Sequence, residues 1–330
     1  MQDCYQLDLQ RRFKEEAACL LPLANAGDAK AQTNLGEMFY SGQGVAKDYG
    51  QALAWFRRAA DQGLAGAQNN LGVMYMNGQG VPKDFGQAAI WYRRAAAQGV
   101  ANAQTNLGWM YAKGLGVPRD DRRALDLLRK AVAQGDAQAQ TSLGLMYMNG
   151  QGVPRDFGQA AALWRKAAAQ GDAQAQYNLG LMSNKGQGLP QDDQQAMAWF
   201  RMSAVQGLAQ AQFYLGSLYR LGQGVPQDHQ QAAAWYHKAA DQGLAQAQFN
   251  LGNMYRLGQG VPQDDHQAAA WYRKAADQGF AAAQNDLGLM YVHGRGVPQD
   301  DVQAKAWYLK AAAQGNADAL NNLHHLEQHR

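Results

Sequence analysis

Few residues in this chain could do chemistry, and their spacing argues against most of it. All seven histidines lie after position 228, and His325 and His329 stand one helical turn apart with His324 and Glu327 beside them. That spacing can hold a metal ion. It falls at a chain end, where fraying is expected, so no metal site and no cofactor is assigned. The Gly-x-Gly segments, such as Gly78-Gln79-Gly80, are not phosphate cradles, because no strand precedes them and no Lys-Ser/Thr follows. Gly-x-Ser-x-Gly and His-Glu-x-x-His are both absent, serine is scarce, and no nucleophile–base–acid set assembles. The expectation is a protein that is not an enzyme.

Cys4 and Cys19 are the only cysteines. A helical hairpin turning at Arg11-Arg12 would bring them face to face, and a disulfide would staple the first segment. One helix over residues 3 to 24 would hold them ~22 Å apart, beyond bonding. A bond would point to an oxidising compartment such as the periplasm. No charged and apolar leader opens the sequence, so the periplasm is expected if a leader was removed and the cytoplasm otherwise. No run approaches 18 apolar residues, so membrane insertion is not expected. Basic pairs recur at Arg57-Arg58, Arg93-Arg94, Arg129-Lys130, Arg165-Lys166 and Arg273-Lys274. Some helical repeats read one RNA base per unit. Here 30 basic residues meet 27 acidic ones, so a solvated outer face is the preferred reading and no nucleic-acid partner is assigned.

The elements that carry these residues repeat. Leu-Gly recurs every 36 residues, at Leu35-Gly36, Leu71-Gly72, Leu107-Gly108, Leu143-Gly144, Leu179-Gly180, Leu215-Gly216, Leu251-Gly252 and Leu287-Gly288. A fixed period of this length signals a stack of supersecondary units. In residues 64–99, Ala67, Leu71, Met74 and Tyr75 make one helical stripe, helix A. Gly78-Gln79-Gly80 stops it. Asp84 with Gln87 reads as a capping box, the carboxylate accepting an orphan N–H and the amide reaching back. The same pair stands at Asp48/Gln51, Asp156/Gln159, Asp192/Gln195, Asp228/Gln231, Asp264/Gln267 and Asp300/Gln303. Helix B follows, with Ala88, Trp91, Tyr92, Ala95 and Ala96 turned inward. Glycine in mid-helix A costs ~1 kcal/mol against alanine, so Gly36 and its equivalents imply an approach that a Cβ would block. The fold class is all-α, an αα-solenoid. Residues 1–27 form a capping helix or helical hairpin. Eight repeats follow, 28–63, 64–99, 100–135, 136–171, 172–207, 208–243, 244–279 and 280–315, and residues 316–330 form a C-terminal capping helix. A solenoid is expected to be one continuous body.

The pattern A-x-A-Q-x-x-L-G-x-M-Y-x-x-G-x-G-V-P-x-D-x-x-Q-A-x-x-W-Y-R-K-A-A-x-Q-G resembles the Sel1-like repeat, a relative of the tetratricopeptide repeat, over residues 13 to 323. The resemblance implies a right-handed superhelix whose concave surface is lined mainly by A helices. It implies bacterial adaptor or scaffold work on a protein or peptide, including immunity proteins that neutralise secreted effectors. It also brings in secreted members that bind or slowly hydrolyse β-lactams. Many of those carry one disulfide per repeat, and this chain lacks such cysteines.

Information in a repeat stack lies where the copies differ. Removing the constant positions of helix A leaves a second stripe, turned from the core. Its members proposed for partner binding are Tyr40, Val73, Met76, Asn77, Trp109, Lys113, Leu145, Met148, Tyr177, Leu181, Lys185, Phe213, Arg220, Phe249, Arg256, Leu289 and His293. Contiguous exposed apolar groups mark interaction surfaces. Trp109, Leu145, Met148, Tyr177 and Leu181 are the expected anchors, and Phe213, Phe249 and Tyr177 lie nearest the core edge, where filling gaps between A helices is the competing role. The expected partner is a protein or peptide, with a monomer or a 1:1 heterocomplex favoured.

Overall fold

A computed structural model describes residues 13–328 of the chain, and the described residues form 18 helices and no strand. Helix α1 (Phe13–Asn25) comes first. Four A–B pairs follow: α2 (Ala29–Ser41) with α3 (Tyr49–Asp61), α4 (Ala65–Asn77) with α5 (Phe85–Ala97), α6 (Ala101–Lys113) with α7 (Asp121–Ala133), and α8 (Ala137–Asn149) with α9 (Phe157–Ala169). The next four are α10 (Ala173–Lys185) with α11 (Asp193–Val205), α12 (Ala209–Leu221) with α13 (His229–Asp241), α14 (Ala245–Leu257) with α15 (Asp265–Asp277), and α16 (Ala281–His293) with α17 (Asp301–Ala312). A lone A-type helix, α18 (Ala317–Gln328), ends the series. The chain is an all-α repeat solenoid. It divides at Gln170/Gly171 into two compact units. In a stack each repeat touches mainly its neighbours, so a join between repeats is where a division can fall.

The helix ends follow local chemistry. Each A helix of the eight repeats stops at a left-handed glycine, such as Gly78 at φ 72°, whose N–H returns to the Met74 carbonyl. Every B helix of the repeats starts at an aspartate whose carboxylate accepts backbone N–H groups, as Asp84 does from Gln87 at 2.9 Å. The glutamine of the expected capping box does not complete it. The aspartate N–H is already donated to helix A, from Asp84 to the Tyr75 carbonyl and from Asp264 to the Tyr255 carbonyl. The cap therefore also fixes the angle between the two helices of a repeat.

Helix α1 occupies the place of a B helix. Its Ala24 carbonyl takes the Gln32 side chain, as B-helix carbonyls do in later repeats. Cys19, on this helix, is disulfide-bonded. Cys4 and the Arg11-Arg12 turn lie outside the described residues, as does His329. Among the described residues no three His, Cys, Asp or Glu side chains group to hold a metal ion, and no helix is long and apolar enough to cross a membrane.

Candidate functional site

Two recurring contacts hold the A helices so that their variable side faces out. The first is between the mid-helix glycine and a side chain of helix B, a ring in seven repeats and Leu128 opposite Gly108 in the third. A Cβ on Gly72 would stand 2.5–2.6 Å from the Tyr92 ring, and one on Gly252 would stand 2.7 Å from Tyr272. The close approach inferred from mid-helix glycine is thus to a side chain of helix B. The second is a buried amide. Gln68 is 4% exposed and donates to the Ala60 carbonyl of the preceding repeat. Its own carbonyl oxygen accepts from Gln98 at 2.9 Å. Gln248 repeats this with Ala240 and Gln278. A buried polar group left unpaired costs about 1–3 kcal/mol, so these chains of amides fix the register of one repeat on the next.

In the unit that ends at Gln170, helix α4 touches α6 and α6 touches α8 directly. Trp109 and Leu145 occupy equivalent positions on α6 and α8, and each is 38% exposed. Met148, Met76, Val73 and Tyr40 are half-buried along the same face, and Asn77 and Lys113 are exposed at the helix ends. Val73 and Met76 also pack against the core, and the Tyr92 hydroxyl lies 3.9 Å from the Met76 sulfur. Tyr40 stacks edge-on against Tyr49 and donates to Gln79. With Glu37, Phe56, Asn70 and Val73 it lines a depression of about 260 Å³.

In the second unit the same positions carry rings and charge. Tyr177 is half-buried and meets the rings of Phe200 and Tyr214. Phe213 meets Tyr214 and Tyr236, and Phe249 meets Tyr272 and Phe280. These rings fill the space between neighbouring helices as well as lining the surface. Leu181 and Leu289 are half-buried at the core margin. Arg220 and Arg256 each donate from Nε to a buried phenol, Tyr236 and Tyr272, at 3.3 and 3.1 Å. Their terminal nitrogens are thereby aimed rather than free to swing. Arg256, Asp265, Asp286, Leu289, Met290, His293 and Arg295 line a cavity of about 210 Å³. Burial pushes the Asp286 carboxyl above its usual range there. Lys185 and His293 are exposed at their helix ends.

The basic pairs of helix B have a role the sequence reading missed. In four of the pairs the first member donates to a tyrosine hydroxyl of the next repeat, from Arg57 to Tyr75 at 2.8 Å, from Arg93 to Tyr111 at 3.3 Å, from Arg129 to Tyr147 at 3.5 Å, and from Arg273 to Tyr291. In three of these the second lies over a tryptophan of its own helix, Arg58 on Trp55 and Arg94 on Trp91 at 4.6 Å, Lys274 on Trp271 at 3.7 Å. The constant 18-residue step from arginine to tyrosine was the available signal.

The Sel1 repeat family model matches eight consecutive segments, 29–64, 65–100, 101–136, 137–172, 173–208, 209–244, 245–280 and 281–316. The chain belongs to the Sel1 repeat family. The family frame starts one residue later than the frame set from the sequence. No curated protein matches this Sel1 repeat protein. Among solved structures it is similar to a protective antigen of uropathogenic Escherichia coli with an SLR fold, at 41% identity over 93% of this chain and a TM-score of 0.73. The chain spans 66% of that antigen's length. A Sel1 repeat protein from Oxalobacter formigenes is 39% identical over 94% of this chain and 89% of its own, with a TM-score of 0.66. An immunity protein from Pseudomonas aeruginosa is 23% identical over 66% of this chain and 83% of its own, with a TM-score of 0.41. That likeness is too distant to bear on function.

Proposed function

We propose that this Sel1 repeat protein is a non-catalytic scaffold that binds a protein or peptide along its A helices, as a concave face would. The observation that carries the reading is the pair Trp109 and Leu145. Two large apolar side chains at equivalent positions of touching helices are each 38% exposed, while the core stripe beside them is buried. Trp in the centre of a patch is a favoured anchor, and Met148 adapts to an irregular partner surface. In the second unit, Tyr177, Phe213 and Phe249 offer their outer edges, and Lys185, Arg220, Arg256 and His293 supply directed charge for specificity. An immunity protein that neutralises a secreted effector is one scaffold of this class, and the experiment below would return the effector.

The test is affinity capture from the source organism with three baits: wild type, Trp109→Ala with Met148→Asp, and Arg94→Ala on the helix B side. Loss of an anchor at a hot spot costs about 2 kcal/mol or more, roughly thirtyfold in affinity. The first variant should lose the partner and the second should keep it. Unchanged capture by the first moves the site off this face. A chromogenic β-lactam should be left intact by all three, and turnover would overturn the non-catalytic reading.

A further inference from the structure

The third repeat departs from the other seven on its helix B, and the departures meet in one place. Where the other repeats carry Gly-Gln, Gln-Gln, His-Gln or Val-Gln after the cap, helix α7 carries Arg122-Arg123. Further along the same helix, Leu127 stands where six repeats have tryptophan, and Asp126 stands where they have alanine or isoleucine. A depression of about 480 Å³ lies between helices α5, α6 and α7, lined by Arg93, Leu107, Tyr111, Arg122, Arg123, Asp126 and Leu127.

Three guanidinium groups border this depression. Arg93 and Arg123 both donate to the single hydroxyl of Tyr111, at 3.3 and 3.4 Å, and Arg123 also lies over its ring. Two cations thus share one neutral acceptor, where Tyr75, Tyr147, Tyr219 and Tyr291 each take one. Two of the nearby carboxylates are engaged elsewhere, Asp126 with Lys130 at 2.8 Å and Asp121 with Arg119 at 2.9 Å. Asp120 caps helix α7 and also pairs with Arg123 at 3.2 Å. Arg122 has no ion-pair partner among the described residues. Partial burial pushes the Tyr111 phenol up, but the hydrogen bonds from Arg93 and Arg123 outweigh it and hold the phenol below its ordinary value. The phenol therefore senses a field that favours negative charge.

We infer that this depression binds a soluble organic phosphate monoester, its oxyanion held by Arg93, Arg122 and Arg123 and its carbon body lying on Leu107, Leu127 and the Tyr111 ring. Guanidinium forks match phosphate oxygens two at a time, and three of them suit a dianion better than a carboxylate. The apolar floor is what a bare ion would leave unused. The site lies on the helix B side and is independent of the A-helix surface proposed above.

Titration of the full chain with phenyl phosphate, followed by calorimetry, tests the inference. Inorganic phosphate and benzoate serve as comparators. Two variants borrow residues that other repeats already hold, so both are expected to fold. R122Q/R123Q copies the fifth repeat, and L127W restores the usual ring and fills the depression. Phenyl phosphate should saturate the wild type at one site and bind at least tenfold more weakly to each variant. Benzoate and inorganic phosphate should each bind the wild type at least tenfold more weakly than phenyl phosphate. Equal binding to wild type and R122Q/R123Q would overturn the inference. So would benzoate matching phenyl phosphate, or inorganic phosphate matching it, which would mean an ion only. Co-sedimentation with phosphatidate vesicles without any response to phenyl phosphate would overturn the assignment to a soluble ligand.

Discussion

Helix α4 contains two glycines six residues apart, and the same substitution should act on them with opposite signs. Gly66 lies in the first turn, and a Cβ there would meet nothing within 4 Å. Replacing it with alanine removes backbone freedom from the unfolded chain and adds helix propensity, worth about 0.4–1 kcal/mol of stability. Gly72 has the same propensity to gain. Its Cβ, however, would stand 2.5–2.6 Å from carbons of the Tyr92 ring, where ordinary contact begins near 3.4 Å. Tyr92 is 0% exposed and packed within the core, so the ring has nowhere to go. Overpacking of a filled core costs about 1–3 kcal/mol, and an overlap of this size belongs at the upper end. After subtracting about 1 kcal/mol of propensity, Gly72→Ala should destabilise by about 2 kcal/mol. Urea unfolding of both variants, followed by circular dichroism, measures the two shifts side by side. If Gly72→Ala moves the transition up, as Gly66→Ala should, then the glycines are not there to admit rings and the packing rule of the repeat fails.

Three further outcomes follow from the same contacts. Gln248→Leu should destabilise by about 1–3 kcal/mol, because the buried Ala240 carbonyl loses its donor, and thermal melting would register it as a clear loss. Asp84→Ala should cost about 1 kcal/mol in urea unfolding through the lost cap of helix α5. Lys83→Ala beside it, which removes only an exposed cation over the Phe85 ring, should cost about half that. Alkaline pH should unfold the protein through its buried phenols. Burial pushes Tyr177, Tyr272 and Tyr308 up to about 12 from the ordinary value of 10.0. Below pH 10 the phenol is protonated in both states and its contribution is complete. As pH rises from 10 toward 12 only the unfolded chain releases the proton, so stability falls. A melting temperature that stays flat across this window would contradict the burial of these groups.

Much of the fold was legible because the repeat averages out local ambiguity. The 36-residue register, the glycine stops and the aspartate caps placed helix α4 at Ala65–Asn77 within a residue of its expected start. The inner stripes were legible too, and Leu71, Met74, Trp91 and Tyr92 are buried as their spacing required. What stayed hidden depends on distance between helices rather than position around one. A helical wheel places Tyr177 and Phe213 on the outer side, but it cannot show that Tyr214 and Phe200 stand close enough to half-cover them. The Asp84/Gln87 spacing points to a full capping box because that motif is local. The competing acceptor, the Tyr75 carbonyl, belongs to the other helix of the repeat. The pairing of Arg93 with Tyr111 and the bond from Gln68 to the Ala60 carbonyl likewise join neighbouring repeats, so no single repeat read alone contains both partners.

Site-specific photo-crosslinking in the source organism tests the central claim most directly. A benzophenone amino acid is placed at Trp109 in one strain and at Arg94, on the helix B side, in another, and adducts are resolved after irradiation. A discrete protein adduct from position 109 and none from position 94 is the predicted result. An adduct from position 94 alone would place the partner on the opposite side of the repeat and contradict the account.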